Sequence, residues 1–338
     1  MMFELAAKTN QERQVYFDQA SQESGLGVAM VEKDFWVTLI LRILFSKAPM
    51  HEWFTFKGGT SLSKVYKLID RFSEDIDLSI DRKHLGFEGF NDPKQAGSRS
   101  KRETALEELN RVCAKRIQEV IQPTLKTELD RTLGAQKRWQ LRLDSKDSMT
   151  LLFEFPTTGK GWRRTSFQPA VRIEFGARAE TWPSQIAEVE SYLSKALQKG
   201  VKDAVAKVTV LKAERTFWEK ATILHSIFYG GQKRLRPDQS RHYYDLYMLA
   251  KSSYGKSAVK QIELLAAVAQ HKNLFYHAAW AEYDEAKVGT LRLAPNKELL
   301  EKLEDDYEKM GDMFFGSRPT FTEIANGLES LEKQINST

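Results

Sequence analysis

Phe54-Thr-Phe-Lys57-Gly58-Gly59-Thr60-Ser61-Leu62-Ser63-Lys64, followed after a short gap by Arg71-Phe-Ser73-Glu74-Asp75-Ile76-Asp77-Leu78, is the stretch that decides the fold. The alternation from Trp53 to Lys57 suits a strand, and the Gly58-Gly59 pair ends it with residues free to take unusual φ. Thr60 or Ser61 is placed to cap a following helix, whose apolar positions Leu62, Val65, Leu68 and Ile69 keep helical spacing. Backbone N–H groups at a glycine-cushioned helix start favour an anion such as a triphosphate. Asp75 and Asp77 are two residues apart, so on a second strand both carboxylates leave the same face. Such a pair repels itself unless a cation lies between, and hard oxygen donors near phosphates favour Mg²⁺. A phosphate cradle beside a divalent-metal site implies phosphoryl or nucleotidyl transfer. The plainer alternative is a tight βα turn followed by a surface strand with solvated acids.

The order Gly-Gly-Thr-Ser, helix, Ser-Glu-Asp-Ile-Asp-Leu resembles the signature of the nucleotidyltransferase superfamily. The fuller strings Lys57–Lys64 and Arg71–Leu78 resemble one branch of it, the AbiEii/AbiGii toxin family that includes the MenT toxins. Val31-Glu-Lys-Asp-Phe-Trp36 is similar to the start of such domains, although a buried packing helix with a charged first turn suited to the dipole explains it as well. The resemblance implies an α+β chain: a nucleotidyltransferase-fold mixed β-sheet domain over 1–210 with N-terminal helices, then a mostly helical domain over 211–338 that completes the active site.

Composition sets outer limits. The chain has 338 residues, 41% hydrophobic and 29% charged, as expected of an ordinary globular protein long enough for two domains. Its N-terminus lacks the basic-then-apolar pattern of a signal peptide, and no apolar run approaches the length of a transmembrane helix. One cysteine, Cys113, excludes an internal disulfide and fits a reducing cytoplasm. The +5 formal charge permits a nucleic-acid partner without requiring one.

Helices are expected over 10–24 and 30–46, the second apolar around much of its circumference and therefore buried. Residues 81–100 read as a long loop and 101–121 as a helix that buries Cys113. From 131 to 164 cations recur as Arg131, Lys137, Arg138, Arg142, Lys146, Lys160, Arg163 and Arg164, interleaved with Trp139, Phe153, Phe155 and Trp162. Phosphates take such charge and unpaired bases stack on such rings, so Arg138, Arg142, Arg163, Arg164 and later Arg241 are candidate RNA contacts. The solvated face of an antiparallel sheet is the competing reading. Strands are expected at 139–144, 149–156 and 169–176.

Glu174, in Ala170-Val-Arg172-Ile-Glu174-Phe-Gly176, puts a carboxylate in the middle of an apolar strand, which is costly unless it is paired or coordinated. Its position resembles the third acid of the superfamily. Glu154 has a similar setting and competes for the role, and an ion pair with Arg172 or Arg178 is the structural alternative for Glu174.

Beyond about 210 the pattern is helical. Leu211–His225 is periodic, and its Glu219-Lys220 resembles the family position whose lysine reaches the nucleotide phosphates; Lys212 is a second candidate. Arg241-His242-Tyr-Tyr244-Asp245-Leu-Tyr247 resembles the family's fourth motif, which implies that Asp245 belongs to the active site, contacting the nucleotide or positioning Lys220. Taken alone, Asp245 reads as a helix N-terminal acid paired with Arg241. Further amphipathic helices are expected over 256–271, 297–311 and 320–336. The six histidines show no zinc-ligand spacing.

By resemblance, then, the chain is a Mg²⁺-dependent nucleotidyltransferase toxin. Two Mg²⁺ ions would bind Asp75, Asp77 and Glu174. Lys57, Gly58, Gly59, Thr60, Ser61 and Lys220 would hold the NTP phosphates. NMP would pass to RNA, at the tRNA 3′ end, blocking translation within a toxin–antitoxin or phage-defence pair whose antitoxin is AbiEi-like. Transfer to a protein hydroxyl is the alternative within this chemistry. A different class is a HEPN-like ribonuclease using Arg236 and His242.

Overall fold

The computed structural model describes residues 2–47, 49–134, 138–164, 168–197 and 205–337, and the side chain of Arg164 is outside what it describes. Lys137, one of the recurring cations, and the side chain of Arg164, a candidate RNA contact, therefore lie outside the described atoms. The chain divides into two compact units, Met1–Val65 with Phe72–Val210, and Tyr66–Arg71 with Leu211–Thr338. The segment Tyr66–Arg71, expected in the first domain, thus packs with the second unit.

The first unit is built on a mixed seven-stranded sheet: β1 (Phe54–Lys57), β2 (Ile76–Ile80), β3 (Gln140–Leu143), β4 (Thr150–Glu154), β5 (Ala170–Gly176), β6 (Ser184–Glu190) and β7 (Val205–Leu211). Their order across the sheet is β3-β4-β5-β2-β1-β7-β6. β1 runs antiparallel to β2, whereas β2 and β5 are parallel, with Asp77 opposite Glu174. β4 is antiparallel to both β3 and β5. Sheet and helices together make the fold α+β.

Period-two alternation gives the sheet two faces. Val171, Ile173 and Phe175 of β5 and Leu151 and Phe153 of β4 are buried, while Arg172, Glu174, Leu152 and Glu154 are half exposed on the other face. The buried face is covered by α3 (Val28–Ser46), the third of the N-terminal helices after α1 (Met2–Ala7) and α2 (Asn10–Ser24). Trp36 of α3 stacks on Phe155 at 5.5 Å and meets Phe153 edge-on at 5.9 Å. Cutting one such ring to alanine costs about 3–5 kcal/mol.

Burial of α3 extends to its charges, and because the helix starts at Val28, Glu32-Lys33-Asp34 lies past the first turn in which the dipole reading put it. All three are buried. Glu32 accepts from the Thr158 amide at 2.8 Å and from Trp162 Nε1 at 2.8 Å, so it pins the loop after β4. Asp34 pairs with Lys64 and accepts from the Tyr192 amide at 2.6 Å. Lys33 pairs with Glu74 and donates to the Gln168 carbonyl at 3.0 Å.

Helix α4 (Gly58–Lys64) is shorter than its apolar spacing promises. It stops before Lys67, whose φ of 54° breaks the helix, and Leu68 and Ile69 belong to the segment that joins the second unit. The helix expected over 101–121 instead begins as α5 (Arg99–Arg116), passes through a π-helical turn (Ile117–Ile121) and continues as α6 (Gln122–Leu133). Pro123 lacks an N–H and would break a regular ladder; the wider turn just before it accommodates that loss. Cys113 is buried, and desolvation pushes its thiol up to about 12, as befits a core residue. A short α7 (Tyr192–Ala196) follows β6.

The second unit is helical: α8 (Ala213–Gly230), α9 (Ser240–Lys251), α10 (Ser253–Val259), α11 (Ile262–Phe275), α12 (Lys297–Lys309) and α13 (Phe321–Asn336). The single helix expected over 256–271 is two, α10 and α11, broken at Lys260 and Gln261. Tyr66 donates to the Leu211 carbonyl at 2.7 Å and the Asp70 amide donates to Tyr244 at 3.0 Å, which fastens the 66–71 segment to these helices.

Candidate active site

The glycine turn sits where β1 becomes α4. Gly58 has φ of 79°, and a Cβ added there would lie 1.9 Å from Asp77 Oδ2. Glycine is therefore required twice, by the backbone and by a carboxylate resting against it. Neither Thr60 nor Ser61 caps the helix, because α4 begins at Gly58 with Lys57 as its uncapped N-cap. Ser61 instead donates to the Gly58 carbonyl at 2.8 Å. Thr60 is buried and donates to the Asp75 carbonyl at 2.5 Å, tying helix to acid loop. Lys57 stands opposite Asp77 in the β1–β2 register, so its end of β1 is level with the acids.

Three carboxylates gather beside this turn. Asp77 and Glu174 face each other across β2 and β5, and Asp75 lies just ahead of β2. Burial, then the charges of Glu74, Glu174 and Asp77, push the Asp75 carboxyl up to about 7 against the opposing pull of Lys33. Glu154 lies opposite Ala170 rather than beside Asp77, and it pairs with Arg142 at 2.8 Å. The register thus brings Glu174 next to Asp77 and leaves Glu154 further out. Glu174 is itself held by Arg172 Nε at 2.6 Å, and Arg172 also reaches Asp144 at 2.5 Å. Among the described residues no three of these acids already converge as a metal cage. The donor set is oxygen only, which suits Mg²⁺. A cation would relieve the repulsion that Asp75 registers, once Arg172 releases Glu174.

A cleft of about 700 Å³ opens beside Asp75. Its lining includes Glu74, Lys33, Arg138, Trp139, Arg142 and Arg172. The basic, aromatic-rich stretch therefore contributes two of its candidate RNA contacts, Arg138 and Arg142, to the neighbourhood of the acids. Arg163 is exposed and is not among the lining residues. Lys33 and Glu74 were given no role by the sequence reading. A charged triplet, Glu32-Lys33-Asp34, set inside a largely apolar helix was the available signal for Lys33.

In the second unit Asp245 is fully buried in the middle of α9, not in its first turn. Its partners are Arg71, at 2.8 and 2.9 Å, and Lys220, at 2.7 Å, rather than Arg241. Burial alone would raise the Asp245 carboxyl, but the charges and hydrogen bonds of Arg71 and Lys220 outweigh it and hold it well below the usual range. Burial lowers Lys220, against the pull of Asp245. Lys220 Nζ lies 3.0 Å from His242 Nδ1. Burial, reinforced by Lys220 and Arg241, pushes the His242 imidazole well below its ordinary value and keeps it neutral. Arg236 is exposed and precedes α9, whereas His242 lies in its first turn beside Lys220. Lys212 is the exposed N-cap of α8.

Among the described residues no helix is long and apolar enough to cross a membrane. No curated protein matches the chain. Among solved structures it is similar to MenT4, nucleotidyltransferase toxin Rv2826c from Mycobacterium tuberculosis H37Rv, at 16% identity and a TM-score of 0.46, over 95% of this chain and 97% of that one. The model of the family described as "Nucleotidyl transferase AbiEii toxin, Type IV TA system" matches residues 39–330, which takes in the glycine turn, the acids of β2 and β5, Lys220 and Asp245. The chain belongs to the AbiEii family, the nucleotidyltransferase toxins of type IV toxin–antitoxin systems.

Proposed function

We propose that this toxin transfers NMP from an NTP to RNA, at the 3′ end of tRNA, and so blocks translation in the cytoplasm until an AbiEi-like antitoxin counters it. The observation that carries the reading is the Asp77 carboxylate seated against Gly58, with Glu174 opposite it and Asp75 under like-charge pressure. Asp75, Asp77 and Glu174 would hold Mg²⁺, two ions being usual for in-line displacement at phosphorus; when bound, the metal stabilises charge on the entering and leaving oxygens. Gly58, Gly59, Thr60 and Ser61 offer the triphosphate the start of α4, with Lys57 alongside. Lys220, held by Asp245 and His242, is assigned to the phosphates as a further cation. Asp245 makes three hydrogen bonds to Arg71 and Lys220 and is wholly buried, which favours a positioning role over contact with nucleotide. Arg138, Arg142, Arg163, Arg164 and Arg241 are assigned to RNA phosphates.

Labelled NTPs incubated with the protein, Mg²⁺ and either total tRNA or cell lysate test this. The expected result is label on tRNA with release of pyrophosphate. Label on a protein instead would replace the acceptor, and shortened RNA without NTP would overturn the reaction class. Lys220→Ala should raise the NTP concentration needed and depress turnover, and unchanged kinetics would remove Lys220 from the reaction.

A further inference from the structure

We propose that the cleft beside Asp75 is the acceptor subsite and that it takes an unpaired nucleotide at the end of a nucleic-acid strand, stacked on Trp139 with its backbone phosphate on Arg138 and Arg142. The inference rests on the transferase reading above and deepens it by giving the acceptor end a place in the cleft and a stacking partner.

Strand order supplies the first argument. β2 lies between β1 and β5. β1 ends where β2 begins, so the glycine turn flanks the acids on the β1 side. β5 and β3 start at that same edge and β4 ends there, as the pairing of Glu154 with both Ala170 and Gln140 requires. These three strand ends wall the cleft on the other side of Asp75. In transfer at phosphorus the attacking and leaving oxygens lie roughly in line on opposite sides. With the triphosphate at the glycine turn, the entering hydroxyl comes from the β5–β4–β3 flank, where the cleft opens.

The lining supplies the second. Trp139 is half exposed, and its ring meets Phe153 edge-on at 6.1 Å. Such a ring can stack any unpaired base, and the arginines beside it suit the phosphates between bases. Arg138 is exposed, and among the described residues Arg142 pairs with Glu154, both side chains 42% exposed, a pair that water already loosens and a phosphate can displace. The volume of about 700 Å³ is that of a small-ligand pocket. It has room for a nucleotide at a strand end.

The test is binding of a short 5′-fluorescein RNA, single-stranded or folded as a blunt hairpin, to the full-length protein without NTP, followed by anisotropy. The single strand should bind more tightly than the hairpin. Trp139→Ala should weaken it about 10- to 100-fold, the range set by loss of one base–aromatic stack. Trp139→Phe should keep most of the affinity, and Arg138→Glu should weaken binding and lower its salt dependence. In the transfer assay Trp139→Ala should raise the tRNA KM and leave the NTP KM unchanged. Equal affinity for strand and hairpin, or wild-type binding by a Trp139→Ala protein with native circular dichroism, overturns the subsite. If Trp139→Ala does not fold, Trp139→Phe and Arg138→Glu decide, and wild-type salt dependence in the latter overturns it. Transfer to tRNA that Trp139→Ala leaves unaltered sinks the subsite alone; absence of label from every RNA sinks the acceptor reading beneath it.

Discussion

Asp75 and Asp245 are the same side chain in opposite circumstances. Asp245 is sealed inside the helical unit with Arg71 and Lys220 around it, and its carboxyl is held well below the ordinary range. Asp75 stands at a cleft among Glu74, Asp77 and Glu174, and is pushed up to about 7. One carboxylate is outweighed by its cations, and the other has Lys33 set against three acids. A group folded into full compensation serves the architecture. A group folded into uncompensated repulsion is stable only at a cost, and that cost marks where a ligand's charge belongs.

The widest separation between the two comes from deleting each. Asp75→Ala should abolish transfer, by about 10³-fold or more if it forfeits several kcal/mol of metal-borne stabilisation, yet unfold in urea no more easily than the parent. Asp245→Ala should lose about 3–5 kcal/mol of stability, because two cations are left buried without their partner. A depressed carboxyl gives stability that is present above its unfolded value and lost as pH falls through its folded one. The Asp245→Ala deficit should therefore be full at neutral pH and shrink only in strong acid. Comparable urea midpoints for the two variants would erase the contrast.

A smaller effect is expected at the turn. Gly58→Ala must put a Cβ within 1.9 Å of Asp77 Oδ2 while holding φ at 79°. Strain of this kind costs on the order of 1–3 kcal/mol. The larger signature should be functional, since the Asp77 carboxylate has to move: activity should fall much further than stability. A Gly58→Ala protein with parental turnover would detach the glycine turn from the acids.

Much of this site was legible in the sequence because its parts are local. Gly58-Gly59, Asp75 and Asp77 lie within twenty residues, and period-two spacing alone puts acids on a common face. The β2–β5 register that brings Glu174 rather than Glu154 to Asp77 is long-range, and spacing could not choose between them. Lys33, Glu74 and Arg71 escaped for a related reason. Each owes its meaning to a partner far along the chain: Lys33 to Glu74 and Gln168, Arg71 to Asp245. On the page each looks like an ordinary surface charge. Helix ends misled where tertiary demands overrode local preference: Leu68 and Ile69 keep helical spacing, yet the segment leaves α4 to pack with the other unit. The π-helical turn ahead of Pro123 has no periodic signal at all.

The finest distinction is one of pH and metal. A carboxyl raised in the folded state stabilises fully below its unfolded value, and that stability is lost as pH rises toward its folded value of about 7. Ionised Asp75 should therefore weigh on the fold at pH 8 and not at pH 4. Without divalent metal, Asp75→Asn should melt with the parent near pH 4 and a few degrees above it by pH 8, at about 2–4 °C per kcal/mol for a domain of this size. Adding Mg²⁺ at pH 8 should lift the parent more than the variant, which keeps Asp77 and Glu174 but lacks the third acid, and the gap should narrow from below. Asp245 admits no such rescue, since Arg71 and Lys220 already occupy the place a metal would take. A parent whose melting temperature at pH 8 ignores Mg²⁺ would mean that the repulsion around Asp75 is not there for a metal, and the difference between the two aspartates would be one of burial alone.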